Sequence, residues 1–265
     1  YLAVLGSMIH GLTVPGSIEA AQRAKGYNKG MFEWLRKAPW GNPAFSGMFM
    51  SLVMFGFLGG ISGVVMGTEQ INLIIHNTLY VPGHFHATVV AGTTLAFMAI
   101  TYLLVPLIFR RHVMFPTVAK LQPYVFGIGI AGISLFMMGA GTLGVPRRHW
   151  DITFADALTT FQFSPAAFLM LALNGLSAIM AALGGAMYIV VVVASVFFGR
   201  RIGDNEKVAL GPATGTQAAA AVANYGSAGT LHIPGTVVLV GVFFVSFVLY
   251  YFVNWKYLAE LWPLK

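Results

Sequence analysis

Six stretches of this 265-residue chain are each long and apolar enough to cross a bilayer: Tyr1–Gln22, Pro43–Met66, Val81–Phe109, Leu121–Leu143, Pro165–Phe198 and Ile233–Val253. A spanning helix needs about 20 mostly apolar residues. In hydrocarbon an open chain satisfies its backbone groups only as helix. The expected fold is therefore all-α, a polytopic transmembrane bundle of about six spanning helices. The charge content agrees: 9% of residues are charged, against about 25% in soluble domains. That excludes a soluble globular enzyme, and the 57% of hydrophobic residues excludes a disordered chain. With no cysteine present, disulfide scaffolds, thiolate zinc sites, Cys-ligated iron–sulfur clusters and a CuA centre in this chain are excluded as well. The first stretch opens without a basic leader or a small-residue cleavage site, so it reads as a span rather than a signal peptide. A chain that opens this way, without Met, is expected to be part of something longer.

The loops set the expected topology. If the spans alternate, three basic loops fall on one side: Arg23, Lys25, Lys29, Arg36 and Lys37; Arg110, Arg111 and Lys120; Arg200, Arg201 and Lys207. The other side holds Arg147, Arg148, Lys256 and Lys265, and the acidic residues divide evenly. The net charge of +7 thus reads as a positive-inside bias, not as nucleic-acid binding. The basic side is assigned as cytoplasmic, with both termini outside. Trp34, Trp40, Trp150, Trp255 and Trp262 lie near predicted helix ends, as an interfacial aromatic belt requires. Residues 1–265 form one transmembrane domain. Residues 200–230, which include the Ala/Gly-rich Gly211–Thr230, are read as a flexible cytoplasmic-side loop. The glycines of Phe57–Gly63 are read as a place where helices approach closely.

Polar residues inside spans are costly and are functional candidates by default. His84 and His86 stand in the run His76–His86 (HNTLYVPGHFH), early in the third span. Residues i and i+2 are about 200° apart on an α-helix, so the two imidazoles point to opposite faces. They do not chelate one metal. They suit two metals, one on each face, with Phe85 between them, and a haem iron takes a single axial His. The alternative is that each imidazole hydrogen-bonds a neighbouring helix. On the same outer side, Arg147 and Arg148 stand where the positive-inside bias does not call for them. Paired guanidiniums bind carboxylates such as haem propionates, or else Asp151 or Asp156 nearby. His76 and Asn77 are candidates for the same propionates, or for capping.

The run HNT-x-x-VPGHFH followed by an apolar helix and an outer-side VPRR resembles subunit I of the haem–copper terminal oxidases, most closely the B-class, cytochrome ba-type branch. LTVPGSIEAAQRAKG (12–26) and GMFEWLRKAPWGNPA (30–44) resemble the inner loop after the eighth helix of that branch. The resemblance implies a cytochrome c oxidase-type enzyme of the respiratory chain, a proton pump reducing oxygen to water. It implies a place in a prokaryotic cytoplasmic membrane. His84 would be the catalytic ligand of the high-spin haem and His86 a ligand of the low-spin haem, the two haems being of b and a types. Phe85 would lie between the haems, and Arg147, Arg148, His76 and Asn77 would hold propionates. Ser7 and Thr13 match hydroxyl positions of the branch's proton channel; between them, where Thr is usual, stands His10, an imidazole able to relay protons. A carboxylate that some members carry one turn before the His76 position is Asn72 here, which does not titrate.

The family's copper (CuB) takes three histidines, among them a His-His pair that this sequence lacks. The low-spin haem's second axial His belongs to an early helix, also absent. The six spans match helices eight to thirteen, so the chain is expected to be the C-terminal half of subunit I. Its implied partners are the N-terminal half, subunit II, membrane lipid and an electron donor (cytochrome c, cupredoxin or quinol). Two alternatives stand beside the oxidase: a nitric oxide reductase of the same superfamily, and a non-catalytic haem-binding membrane subunit.

Overall fold

The computed structural model describes residues 2–148, 163–203, 208 and 232–261. Among the described residues eight helices follow in order: α1 (Leu2–Ala24), α2 (Glu33–Arg36), α3 (Pro43–Gly67), α4 (Glu69–Ile75), α5 (Tyr80–Phe109), α6 (Pro116–Thr142), α7 (Pro165–Phe198) and α8 (Pro234–Leu261). The chain is a multi-pass membrane protein with a helical transmembrane bundle. The spans start where local chemistry dictates. Asn42 caps α3, its side-chain oxygen accepting from the amides of Ala44 (2.9 Å) and Phe45 (3.3 Å), with Pro43 in the first turn. Ser164 and Pro165 open α7 in the same way.

Five of these helices are long and apolar enough to cross a membrane: α3, α5, α6, α7 and α8 over Pro234–Val253. The expected sixth, α1, is a helix of 23 residues but is not one of the five. His10, Thr13, Pro15, Ser17 and Glu19 dilute its hydropathy. The Gly211–Thr230 loop, Trp150 and Trp262 lie outside the described residues.

In lipid, helices gain nothing by hiding apolar surface from one another, so close packing of small residues must hold them together. The helices α6 and α7 pack closely along their lengths. A Cβ on Gly184 would lie 2.5 Å from the Phe126 amide nitrogen, and one on Gly129 would lie 2.5 Å from that of Ala181. Phe126, Ile130, Ile133 and Ala181 form a buried cluster here with Ala91 and Leu95 of α5.

One end of the bundle is tied by the basic loops. The His112 amide donates to the Arg200 carbonyl (2.9 Å) and the Ile202 amide to the Arg110 carbonyl (2.8 Å). The Arg111 guanidinium donates to the Gly199 carbonyl (2.7 Å). The first basic loop reaches the same end through Trp40, whose carbonyl accepts from the Tyr124 hydroxyl (2.8 Å).

A buried ionic clamp joins α1 to α8. Glu19 is fully buried. It accepts from the amides of Gly235 (3.0 Å) and Thr236 (2.6 Å), from the Thr236 hydroxyl (2.7 Å) and from Arg23 Nε (2.8 Å). A carboxylate on α1 thus satisfies orphan donors at the start of α8. Trp34, expected in an aromatic belt, is instead fully buried, its indole nitrogen so close to Gly235 that a Cβ there would lie 2.5 Å from it. The interior contact wins because the indole fills the gap under the clamp.

Three stability outcomes follow. Gly184→Ala puts a Cβ against unyielding backbone and should lower the thermal stability of the detergent-solubilised protein by about 1–3 kcal/mol. Gly175→Ala, with nothing within 4 Å of the new Cβ, should be neutral or gain up to about 1 kcal/mol. Glu19→Ala leaves Arg23 buried without its carboxylate and should cost about 3–5 kcal/mol; an unchanged melting temperature in the same assay would contradict the clamp.

Candidate functional site

The site is built on the outer end of α5 and what packs around it. After α4 the chain turns at Asn77, which adopts a left-handed conformation (φ 59°) that Asn tolerates better than most residues. Thr78 bridges to Pro146, and the Leu79 amide donates to the Val145 carbonyl (2.9 Å). Then α5 begins at Tyr80, with Pro82 in its first turn. At Gly83 the helix touches α6 backbone: a Cβ there would lie 2.8 Å from the Met138 nitrogen and 2.9 Å from the Ser134 oxygen.

His84 turns toward α3. Its ring lies over Gly63, where a Cβ would sit 3.0 Å from Cε1, and its Nδ1 is 2.9 Å from the Ser62 hydroxyl oxygen. Ser62 already donates to the Leu58 carbonyl. A hydroxyl has one hydrogen, so its oxygen accepts and His84 Nδ1 carries the proton. His86, two residues on, stands about 200° round the helix from His84. Its Nδ1 is 2.7 Å from the Pro82 carbonyl, which only accepts, so this Nδ1 is protonated too. An imidazole whose Nδ1 donates in this way offers its lone pair from Nε2. Beyond His86 the helix widens into a π-helical segment, His86–Thr94, facing a second one in α3, Phe55–Gly60.

Phe85 is half exposed and lines an open cleft of about 340 Å³ together with Arg147, Arg148, Pro82 and Met137. The structure thus brings Phe85 and both arginines to one place. Arg147 is held: its Nε (3.1 Å) and Nη2 (2.7 Å) both donate to Asn77 Oδ1, and its amide donates to the Asn77 carbonyl (2.8 Å). Asn77 therefore serves as an anchor for Arg147. Arg148 is exposed, as is His76. Asp151 and Asp156, the competing partners of the arginines, lie outside the described residues.

The residues expected to carry protons sit elsewhere. His10 and Thr13 stand one helical turn apart on α1; the Ser7 side chain lies outside the described residues. Thr13 donates back to the Ile9 carbonyl (2.9 Å). His10 lines a separate, largely apolar cleft of about 580 Å³ with Phe49, Phe55, Phe57 and Phe243. Asn72 donates to the Met66 carbonyl (2.7 Å) at the α3–α4 corner. Among the described residues no three His, Cys, Asp or Glu side chains come together, so the histidines suit single axial ligation.

Sequence reasoning missed Ser62 and the Asn77 anchor. The small-residue run Phe57–Gly63 was the available signal for the first. A Gly one residue after a Ser marks a flat spot on α3 that a ring from the next helix can cover.

Comparison with known proteins places these residues in a family. A family model described as cytochrome C and quinol oxidase polypeptide I matches residues 1–175. A cytochrome c oxidase subunit 1 of Thermus thermophilus is 35% identical over 155 residues, covering 57% of this chain and 27% of that protein. The corresponding subunit of Alkalihalophilus pseudofirmus is 29% identical over 136 residues, covering 50% of this chain and 22% of that protein. A chain of a heme-copper terminal oxidase dimer superposes with a TM-score of 0.59 at 28% identity, over 75% of this chain and 37% of its own length. The chain thus spans well under half the length of these relatives. With well over half of its own residues matched by that model, from α1 past the Arg147–Arg148 corner, the chain belongs to the cytochrome c and quinol oxidase polypeptide I family.

Proposed function

We propose that this chain is part of the catalytic subunit of a proton-pumping, B-class haem–copper oxygen reductase of the cytochrome c oxidase type, in a prokaryotic cytoplasmic membrane. In this reading His84 holds the iron of the high-spin haem and His86 that of the low-spin haem. The observation that carries it is the state of the two rings. Each Nδ1–H is spent on an acceptor of the fold, Ser62 Oγ or the Pro82 carbonyl, and each Nε2 keeps the lone pair an iron needs. The donor set fits two haems and does not fit a shared metal.

When bound, the haems and copper supply the four-electron reduction of oxygen, with four protons, to two waters. The chain's own residues position and insulate. His84 and His86 would each hold one haem iron, on opposite faces of α5, with Phe85 between the two ligands in the chain. Arg147, pre-oriented by Asn77, and Arg148 present guanidinium donors to carboxylates in the Phe85 cleft, and His76, next to Asn77 in the chain, is assigned to the same carboxylates. Ser7, His10 and Thr13 offer a proton relay along α1. The copper ligands and the low-spin haem's second histidine come from the rest of subunit I. Subunit II, membrane lipid and a cytochrome c, cupredoxin or quinol donor complete the partners.

The oxidase reading is tested on the assembled complex. His84→Ala should abolish the carbon monoxide difference spectrum of the reduced protein. His86→Ala should keep it while removing the low-spin absorption. Carbon monoxide binding that survives His84→Ala would remove the basis of the proposal. Arg147→Ala withdraws a positive charge from the propionates and should lower the haem midpoint potentials in a redox titration. The stability change should stay within about 3 kcal/mol, the scale of a hydrogen bond from a charged donor.

A further inference from the structure

We infer that Ser62 is a positioning residue for the high-spin haem: its hydroxyl accepts the His84 Nδ1 proton, fixes the ring's rotation and raises the basicity of Nε2. The inference rests on the proposed role of His84 as that haem's ligand. Ser62 is nearly fully buried. Its oxygen lies near two carbonyls of its own helix, Leu58 and Gly59 (3.1 Å to the latter), and 2.9 Å from His84 Nδ1. The single hydroxyl hydrogen goes to a carbonyl, which leaves the oxygen as an acceptor for the imidazole beside the Gly59 carbonyl, to which His84 also hydrogen-bonds. The result is a directed chain from His84 Nδ1–H through the Ser62 hydroxyl to the α3 backbone. Polarisation along such a chain pushes electron density into the ring, as a hydrogen-bonded partner does for metal-bound histidines generally.

Three further features hold this geometry. The acceptor carbonyls belong to the π-helical segment Phe55–Gly60, and such segments mark functional sites disproportionately. Gly63 supplies the flat surface under the ring, since a Cβ there would press on Cε1 at 3.0 Å. Gly59 lets α5 come close, since its Cβ would lie 2.7 Å from Thr88 Cγ2. Ser62 is the side-chain oxygen at that contact.

The test uses the full complex carrying Ser62→Ala, Ser62→Thr or Ser62→Cys, with His84→Ala as control. The readouts are the iron–histidine stretching band in resonance Raman spectra of the reduced protein and the separate midpoints of the two haems. Ser62→Ala should move the band to lower frequency and raise the high-spin midpoint, because a less basic imidazole favours ferric iron less. The low-spin midpoint should not move, and Ser62→Thr should restore both values. Ser62→Cys, near in size but a weak acceptor, should shift the band the same way, which covers the case in which Ser62→Ala does not assemble. Wild-type band positions in both Ser62→Ala and Ser62→Cys, or in Ser62→Cys alone where Ser62→Ala does not assemble, with the band lost in His84→Ala, would overturn the Ser62 role alone. A band that persists in His84→Ala would instead overturn the assignment of His84 itself.

Discussion

The candidate site depends on how closely α5 approaches the helices on either side of it. On one side Gly83 meets the backbone of α6. On the other, Gly59 of α3 meets Thr88, and Gly92 of α5 meets Phe55, where a Cβ would lie 2.5 Å from Cδ2. Lipid offers no solvent-exclusion force to drive helices together, so these contacts must hold by dispersion at short range. Ser62 can meet His84 only if α3 and α5 are that close. The two π-helical segments lie side by side in the same contact. The extra residue per widened turn re-aims the side chains on either side of it, and His86 is the first residue of one such turn.

The polar groups of the bundle sort into two kinds. Most serine and threonine hydroxyls inside the spans fold back onto their own helix: Ser51 on Met48, Thr94 on Val89, Ser177 on Leu173. Such a bond hides the hydroxyl from lipid and binds nothing else. A smaller set reaches between helices. Tyr102 donates to Gln122 (3.0 Å), which donates to the Gly184 carbonyl (3.3 Å), joining α5, α6 and α7 through one buried amide. Tyr188 donates to Thr101 (2.9 Å). Glu19 joins α1 to α8, and Ser62 joins α3 to α5. These bonds fix the register of one helix against the next, which apolar contact alone does loosely. Within this set, the Ser62 bond is the one that ends on a ring whose second nitrogen can act as a ligand.

Hydropathy made the five strongest spans legible, because twenty apolar residues in a row have few other uses. The α3, α5 and α7 boundaries lie within a residue of expectation, since Asn42–Pro43 and Ser164–Pro165 are written plainly as starts. The apolar run puts the beginning of α6 late, at Leu121 instead of Pro116, because Lys120 and Gln122 interrupt it; Gln122 turns out to be fully buried and paired. Glu19 and Trp34 mislead for one shared reason. A charge or an indole near a helix end reads as interfacial, and only the distant segment at Gly235–Thr236 makes both interior. The His-Phe-His spacing was legible since it follows from helix geometry alone. Its partners were not, because a serine among glycines carries no sign of which ring will lie upon it.

The parts of the site therefore differ in what secures them. The division of His84 and His86 between two faces is set by the covalent spacing of a single helix and survives any change in packing that leaves α5 helical. The orientation of the two rings is secured one step further out, by one side chain of α3 and one carbonyl of the same turn. The Arg147 guanidinium is secured further out still, by a loop residue in a left-handed conformation whose side chain and carbonyl both hold it. Robustness falls along that order while adjustability rises. A family that keeps two cofactors at one separation and varies their electronic properties would keep the first relation fixed and tune the second and third. On the proposed reading, the tuning positions in this chain are Ser62 and Asn77.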